Sequence, residues 1–320
     1  MSVIDKIPRI VAIVGPTAAG KSSLAMEVGP KLDLPILCCD SVQVYRGLDI
    51  GSAKPTTECQ SRWPHRLIDL VDPDEEFCSG SYSRAAMAQL DSQTSALLCG
   101  GTGLYLRSLC WTNSGEGAIE EVDRNDPRRR EFEAKWLTQE EQVPHSMWRR
   151  LREVDADLAD QIHPNNRIRV LRALWMCEQL GGTVSAQRAR HPPSERTKLF
   201  MVVLDPGQEQ ISVLITQRLK QMIRAGWIDE VEKLKNAGYD ARYKSMRSLG
   251  YKQMIEYLEG QTSYEDTLMS IERETRRYAK RQRSYFYNQI PVGQGKMRVI
   301  RHPDEFPYDE VRAFVGGKSS

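Results

Sequence analysis

The feature that most constrains this chain is an eight-residue stretch that matches the phosphate-loop pattern G-x-x-x-x-G-K-[ST] at every position. Its residues are Gly15, Pro16, Thr17, Ala18, Ala19, Gly20, Lys21 and Ser22. An apolar run over 10–14 precedes it and a helix-like segment over 23–31 follows it, which is the strand, loop and helix context that the pattern requires. We therefore predict a diphosphate or triphosphate site. The alternative is a glycine-rich turn that matches by chance.

Each residue type in the loop has a physical role. Glycines allow successive backbone N–H groups to turn inward around phosphate oxygens, and Lys21 adds a positive charge. The Ser22 hydroxyl can ligate a magnesium ion, so the predicted cofactor is Mg²⁺ held at Ser22.

Strands and helices alternate in the first third of the chain, which predicts a parallel sheet. The predicted strands span 10–14, 35–39, 66–71, 96–99 and, after a long interval, 198–204. The predicted fold class is α/β: a phosphate-loop, kinase-like parallel sheet flanked by helices, with an inserted all-helical domain.

The insertion is predicted between residues 114 and 197, where the sequence is charged and helical and has no good strand candidate. Helices are predicted near 127–137, 146–153, 156–162 and 165–180. Because strand character returns at Lys198, the block is explained best as an insertion into the first domain. The predicted domains are a phosphate-loop core, 1–113 with 198–320, and a helical domain, 114–197.

Asp40 follows the second predicted strand. In such a sheet the carboxyl ends of adjacent strands face one crevice, so we predict that Asp40 lies near the phosphate loop. The alternative is an Asp that only stabilises a turn. The strand over 96–99 ends in glycines and lacks the magnesium-binding Asp of ATP-hydrolysing proteins, a place that Asp69 or Asp72 could fill. The site therefore need not serve ATP.

A long helix predicted over 263–288 carries a basic stripe. Its members are Arg273, Arg276, Arg277, Lys280 and Arg281, which recur at i, i+3, i+4, i+7 and i+8 and so share one face. Only Glu274 offsets the basic residues between 273 and 283. The spacing indicates an anionic partner, either a diphosphate or a nucleic-acid backbone. The alternative is a solvated face.

Composition excludes few functions. A net charge of +2 argues neither for nor against a nucleic-acid partner. The seven cysteines form no C-x-x-C pair, so we expect reduced thiols and no structural metal. No apolar run approaches the length of a membrane span, and the first strand begins too early for a signal peptide. We therefore predict a cytoplasmic protein with no membrane contact, and a monomer.

Several blocks in a fixed order make the chain similar to the tRNA dimethylallyltransferase (tRNA isopentenyltransferase) family, bacterial type. The blocks are Gly15 to Ser22, Asp40 to Gly47, Asp49 to Pro55, Pro64 to Asp69, Gly100 to Tyr105, His163 to Asn165, Arg172 to Leu174, Leu249 to Lys252 and Thr275 to Gln282. They run over nearly the whole chain. Three positions depart from the family: Arg167 and Ile168 replace the more usual Pro and Gln, and Tyr285 replaces a common Trp.

The resemblance implies transfer of the dimethylallyl group of dimethylallyl diphosphate to N6 of the adenosine beside the anticodon of tRNA. It implies that the residues from Gly15 to Ser22 hold the diphosphate with Mg²⁺ on Ser22. Asp40 is then the catalytic base, and Lys21 and Arg218 stabilise the departing diphosphate.

The residues predicted to contact tRNA fall into three sets, of which the resemblance implies the first two. Those at the target nucleotide are Asp40, Ser41, Val42, Gln43 and Thr102. Those in the insertion are Arg130, Ile168, Arg169, Val170, Leu171 and Arg172. The third set follows from the spacing of the basic stripe and comprises Arg276, Arg277, Lys280 and Arg281.

Other functions stay open on sequence grounds. A small-molecule or nucleotide kinase would use the same loop for ATP. A free-nucleotide isopentenyltransferase would not need the insertion, and a non-catalytic RNA-binding protein would not need the phosphate loop. For Asp40, a role as a magnesium ligand competes with the role of base.

Overall fold

A computed structural model of the 320-residue chain describes residues 7–90, 95–112, 126–291 and 296–316. The chain divides into two compact units. The first comprises Met1–Cys110 with Arg196–Ser320, and the second is Trp111–Glu195. These limits differ by three and two residues from the predicted domain boundaries.

The first unit is built on a six-stranded sheet in the order β3-β2-β4-β1-β5-β6. The strands are β1 (Arg9–Val14), β2 (Ile36–Cys39), β3 (His65–Arg66), β4 (Ser95–Gly100), β5 (Lys198–Leu204) and β6 (Met297–Ile300). All the pairings are parallel, and β1 lies between β4 and β5. This confirms the predicted α/β class with a parallel sheet. Strands β1, β2, β4 and β5 are almost wholly buried because helices cover the sheet.

The helices of the first unit connect these strands or extend the chain beyond them. They are α1 (Lys21–Leu32), α2 (Thr57–Arg62), α3 (Ser79–Gln89), α4 (Gly103–Cys110), α10 (Gln208–Arg224), α11 (Trp227–Asn236), α12 (Tyr251–Leu258), α13 (Tyr264–Asn288) and α14 (Tyr308–Val315), with a short 3₁₀ turn at Pro303–Glu305. The gap in numbering falls where the second unit is inserted. Within the ranges described above, no helix is long and apolar enough to cross a membrane.

The predicted strand over 66–71 is wrong. Only His65 and Arg66 pair with β2. Leu67 and Asp69 adopt positive φ angles of 66° and 53°, which a strand cannot contain, and Val71 forms a single isolated bridge with Tyr45. Strand β6 and helix α14 were not predicted.

Parallel pairing brings several chain turns to one edge of the sheet. Val14 is in register with Gly100 on one side and with Val203 on the other, and Cys39 is also in register with Gly100. The loops that follow β1, β2 and β4 therefore leave the sheet side by side. These loops carry the phosphate-loop residues, Asp40 and Thr102.

Helix α13 is 25 residues long and agrees with the predicted span. Ser263 caps its N-terminus by accepting a hydrogen bond from Asp266 N–H. Its buried face carries Thr267, Ile271, Ala279, Gln282 and Phe286. A glutamine thus occupies a position that the helical period reserves for the core.

The second unit is helical in the part that the structure describes. Its helices are α5 (Pro127–Gln142), α6 (Ser146–Val154), α7 (Ala156–Asp160), α8 (Arg167–Leu180) and α9 (Val184–Arg190). The last was not predicted. Met147, Leu151, Leu158, Val170 and Leu174 belong to a hydrophobic core of this unit's own, as expected for an independently packed insertion.

Candidate active site

The phosphate loop has the backbone shape that its glycines permit. Gly15, Ala18 and Gly20 have positive φ angles of 144°, 65° and 92°. A Cβ atom at Gly15 would lie 2.2 Å from the Leu204 carbonyl oxygen, so no larger residue fits beside β5. Gly20 is the N-cap of α1, and the positive end of the helix dipole therefore faces the loop.

The Lys21 side chain folds back onto the start of the phosphate loop. Its Nζ donates a hydrogen bond to Pro16 O at 2.7 Å. Burial lowers the pKa of Lys21 to about 8, with Cys99 and Asp40 opposing that shift and Arg218 adding to it. A bound anion favours the charged amine, so a phosphate here would raise this pKa again.

Arg218, on α10, reaches the same loop. Its Nη1 donates to Thr17 Oγ1 at 3.3 Å and its Nη2 lies 3.5 Å from Ser52 O. Burial lowers its pKa, and the nearby Asp40 opposes that shift. The structure thus brings together the phosphate loop and the arginine that the family resemblance assigned to the same diphosphate.

Asp40 fits both interpretations offered by the sequence. Its Oδ1 accepts hydrogen bonds from Val42 N–H at 2.8 Å and Gln43 N–H at 3.3 Å, which is the turn-stabilising role. Among the described residues, no hydrogen bond reaches Oδ2. Asp40 also lines a cavity together with Thr17 and Arg218. One carboxylate oxygen holds the turn, and the other is available to a ligand.

Ser41, Gln43 and Thr102 hold the loops around Asp40. Ser41 N–H donates to Thr102 Oγ1 at 3.1 Å. Gln43 Nε2 donates to Ser52 O at 3.1 Å and to Ala53 O at 3.2 Å. Because Thr102 Oγ1 accepts the hydrogen bond from Ser41, its O–H group can still donate one. Val42 and Ser41 line the cavity directly.

The cavity has a volume of about 240 Å³, and its lining residues are of two chemical kinds. The polar lining residues include Thr17, Asp40, Ser41 and Arg218. The apolar lining residues include Ile215, Leu219, Met222, Trp227, Leu249 and Ile271. A compact apolar group attached to a diphosphate matches this division.

Three further residues of the site were not recognised from the sequence. Gln282 accepts a hydrogen bond from Thr17 N–H. Tyr278 lines the cavity, and burial raises its pKa. Glu230 accepts from the N–H groups of Asp49, Ile50 and Gly51, the loop that brings Gly51 to the cavity. The one available signal was a polar residue, Gln282, on the buried face of a helix.

The basic stripe of α13 is exposed but partly neutralised. Arg276 pairs with Glu272 at 2.7 Å, and Arg277 pairs with Glu274 at 2.6 Å. The prediction that only Glu274 offsets the stripe is therefore incomplete, because Glu272 lies one helical turn before Arg276. Lys280 and Arg281 form no ion pair within the described ranges, although Arg281 lies over the Tyr278 ring at 5.9 Å.

In the helical unit, some of the residues predicted to contact tRNA are exposed and others are buried. Arg130, Arg169 and Arg172 are exposed, and Ile168 is 83% exposed. Val170 and Leu171 are buried in the core of the unit. The helical period turns these two side chains inward, and the predicted contact of the 168–172 segment with tRNA stays a prediction.

The residues at the loop fit Mg²⁺ by their chemistry. Asp69 and Asp72 are engaged elsewhere, with Lys54 at 2.5 Å and Arg46 at 2.9 Å. In the described part of the chain, no three His, Cys, Asp or Glu side chains form a metal site by themselves. Ser22 and Asp40 offer a hydroxyl and a carboxylate, a set that suits an ion whose other ligands are phosphate oxygens and water.

Comparisons with known proteins agree with this geometry. The profile of the IPP transferase family matches residues 43–289, and that of the isopentenyl transferase family matches residues 8–63. The tRNA dimethylallyltransferase 2 of Geotalea uraniireducens (strain Rf4) is 36% identical in an alignment of 309 residues that covers 94% of this chain and 94% of that one.

Solved structures extend the comparison to the fold. The full-length tRNA isopentenylpyrophosphate transferase from Bacillus halodurans is 31% identical, with a TM-score of 0.64 over 97% of this chain and 96% of that one. A eukaryotic dimethylallyltransferase solved while acting on tRNA has a TM-score of 0.79 over 98% of this chain and 80% of that one. Its identity is 20%, so it supports the fold alone.

Proposed function

Because the chain belongs to the IPP transferase family, we propose that it transfers the dimethylallyl group of dimethylallyl diphosphate to N6 of the adenosine next to the anticodon in tRNA. Diphosphate is the second product. The observation that carries this proposal is a cavity in which phosphate-loop residues, an arginine and a carboxylate meet an apolar lining.

The polar residues at the cavity and in the phosphate loop suit the leaving group. When the carbon–oxygen bond breaks, negative charge grows on the diphosphate oxygens, and preorganised positive groups stabilise it most effectively. Lys21, Arg218 and the N-terminus of α1 supply that charge. Mg²⁺ held by Ser22, with Asp40 nearby, would add further charge stabilisation when bound.

The apolar lining residues suit the reacting group. Departure of diphosphate leaves positive charge spread over an allylic carbon skeleton, which water would capture. Apolar side chains keep water away from such a group; here they are Ile215, Leu219 and Met222 from α10, with Trp227 and Leu249.

Asp40 is proposed to act on the acceptor. An adenine amine is a weak nucleophile and must lose a proton as the new carbon–nitrogen bond forms. The Oδ2 oxygen can accept a hydrogen bond from that amine and take its proton, while Oδ1 remains bonded to Val42 N–H. The base has to leave its stack to enter the cavity.

The remaining features support a polynucleotide acceptor. Exposed arginines occur in the helical unit and along α13, where they can neutralise phosphates. Tyr278 and Thr102 are proposed to help hold the target nucleotide. We further propose that the enzyme works as a monomer in the cytoplasm, where its tRNA substrate is found.

The kinase alternative is not favoured. Both family profiles and the named relatives are prenyl transferases, and none of them is a kinase. Incubation with unmodified tRNA and dimethylallyl diphosphate, followed by mass spectrometry of the digested nucleosides, tests the proposal. A dimethylallyl adduct on adenosine is the expected result. An unmodified adenosine pool after full incubation would refute it.

A further inference from the structure

We propose that Gln282 is a positioning residue that ties the phosphate loop to the acceptor side of the cavity. By doing so, it sets the spacing between the departing diphosphate and the attacking amine. The inference rests on the function proposed above. Gln282 lies on α13 but belongs to the buried face of that helix, not to its basic stripe.

Gln282 joins two loops through both ends of its amide. Its Oε1 accepts a hydrogen bond from Thr17 N–H at 2.8 Å, and its Nε2 donates to Gly101 O at 2.9 Å. The partners fix the orientation of the amide, because Oε1 can only accept and Nε2 can only donate. Thr17 follows β1 and Gly101 follows β4, so one side chain spans the ends of two adjacent strands.

The fit around this amide is close. Gln282 is 5% exposed. A Cβ atom at Gly101 would lie 2.1 Å from Nε2, so the amide packs directly on the glycine backbone. Both polar ends are satisfied in a site with little access to water, and a displaced side chain would leave buried polar groups without partners.

Further hydrogen bonds extend from both partners of Gln282. Thr17 Oγ1 accepts a hydrogen bond from Arg218, which is proposed to bind the diphosphate. Beyond Gly101, Thr102 N–H donates to Cys39 O at 3.1 Å and Thr102 Oγ1 accepts from Ser41 N–H. Asp40 lies between Cys39 and Ser41. Gln282 therefore connects the residues proposed to bind the leaving group to the residues proposed to act on the acceptor.

The opposite interpretation is that Gln282 is a latch, a side chain that occupies the Thr17 amide only until diphosphate binds. Thr17 N–H is one of the amides that a phosphate loop can offer to its ligand, and Gln282 occupies it. A latch would release that amide when diphosphate binds, and its removal would tighten diphosphate binding. The geometry points to a permanent brace, meaning a hydrogen-bonded link between the two loops that remains when diphosphate binds. If the Gln282 amide moved away, the buried Nε2 and Gly101 O would both lose their hydrogen-bond partners.

The test is the Gln282→Met variant, which keeps the length of the side chain and removes both hydrogen bonds. At saturating dimethylallyl diphosphate and tRNA, the single-turnover rate is expected to fall about 10- to 100-fold, because a small misplacement of reacting groups has effects of that order. tRNA affinity should be unchanged, and inorganic pyrophosphate should bind no more tightly than to the parent. An unchanged rate, or tighter pyrophosphate binding, would overturn the brace.

Two comparisons separate positioning from general destabilisation. Tyr287→Phe removes one hydrogen bond from the same helix to the buried Asp205, at 2.9 Å, and should leave the rate within about twofold. Thr102→Val breaks the connection to Ser41. If Gln282 acts through that connection, the double variant with Gln282→Met is no slower than the slower single variant. If the rate losses of the two single variants multiply in the double variant, Gln282 and Thr102 act independently, and the proposed coupling is contradicted.

The parent enzyme distinguishes the two claims. If the parent forms no prenylated tRNA, the proposed function has failed. If the parent is active and Gln282→Met is equally fast, only the brace has failed.

Discussion

The charge of Lys21 depends on what occupies the phosphate loop. Burial lowers its pKa to about 8, so the amine loses its proton above that pH. A diphosphate favours the protonated form and raises the pKa, so binding takes up a proton above pH 8. Affinity must therefore fall as pH rises through this value.

We predict this pH dependence for dimethylallyl diphosphate binding, measured by calorimetry on either side of pH 8. In Lys21→Met, binding should be weaker, the Lys21-linked fall should be absent, and turnover should drop strongly. tRNA affinity should be retained, because Lys21 faces the loop. Identical pH profiles for the two proteins would show that Lys21 does not meet the diphosphate.

Asp40 gives the sharpest test of a single side chain. Asn at this position keeps an oxygen for Val42 N–H and Gln43 N–H, so the turn is preserved, but it cannot take a proton. We predict that Asp40→Asn lowers kcat by about 10²- to 10⁴-fold with little change in dimethylallyl diphosphate affinity.

Magnesium separates the two roles of Asp40. If Asp40 were a metal ligand, the Asn variant would bind diphosphate poorly, and excess Mg²⁺ would restore both affinity and kcat. Rescue of kcat in a magnesium titration therefore contradicts the base assignment.

At this scale, the sequence predicted residues that belong to a known local pattern or follow a strand. Lys21 and Asp40 are of this kind. Gln282 and Glu230 were missed because their partners, Thr17 and Ile50, are 265 and 180 residues away in the chain. No periodicity or spacing records a hydrogen bond between such distant positions.

Among the elements, α13 has two distinct faces. Its buried face braces the phosphate loop through Gln282, and its exposed face carries the basic stripe. The ion pairs divide that stripe. Arg276 and Arg277 are matched by Glu272 and Glu274, whereas Lys280 and Arg281 have no acidic partner within the described ranges.

This division leads to a prediction for tRNA binding. Replacing Lys280 and Arg281 with Ala should weaken tRNA binding and lower the slope of log K against log salt by about one per residue, as for lost phosphate contacts. Arg277→Ala is the matched control, and it should change the slope less because Glu274 already compensates its charge. Equal effects of all three substitutions, or a loss confined to diphosphate affinity, would contradict this assignment.

The elements also show where sequence patterns fail. Long apolar or amphipathic segments such as β5 and α13 were predicted with nearly correct bounds. The segment after Arg66 has the composition of a strand, yet positive φ at Leu67 and Asp69 ends it, because tertiary contacts of the neighbouring loop prevail over propensity. Strand β6 is short and only partly buried, so its apolar signal is weak.

For the whole molecule, we propose that the two units have different functions. The cavity and its catalytic candidates belong entirely to the first unit. The second unit presents exposed Arg169, Arg172 and Ile168 on one turn of α8 while Val170 and Leu171 hold its core. Basic and apolar groups at the surface together suit a nucleic-acid partner.

We predict that Arg169→Ala with Arg172→Ala raises KM for tRNA and leaves KM for dimethylallyl diphosphate unchanged. The reason is that these arginines lie in a different unit from the phosphate loop. Steady-state kinetics with each substrate varied in turn measures this directly. Arg190→Ala, an exposed arginine of α9 in the same unit, serves as the control. A matching rise for the control would point to a general charge effect.

The central claim is that one cavity joins a prenyl diphosphate to a tRNA adenosine. The most direct measurement offers the enzyme unmodified tRNA, dimethylallyl diphosphate and ATP together and follows prenylated adenosine, released diphosphate and ADP. The account predicts prenylated adenosine and diphosphate in equal amounts, both abolished without tRNA, and no ADP above background. ADP formation without prenylated adenosine would contradict it.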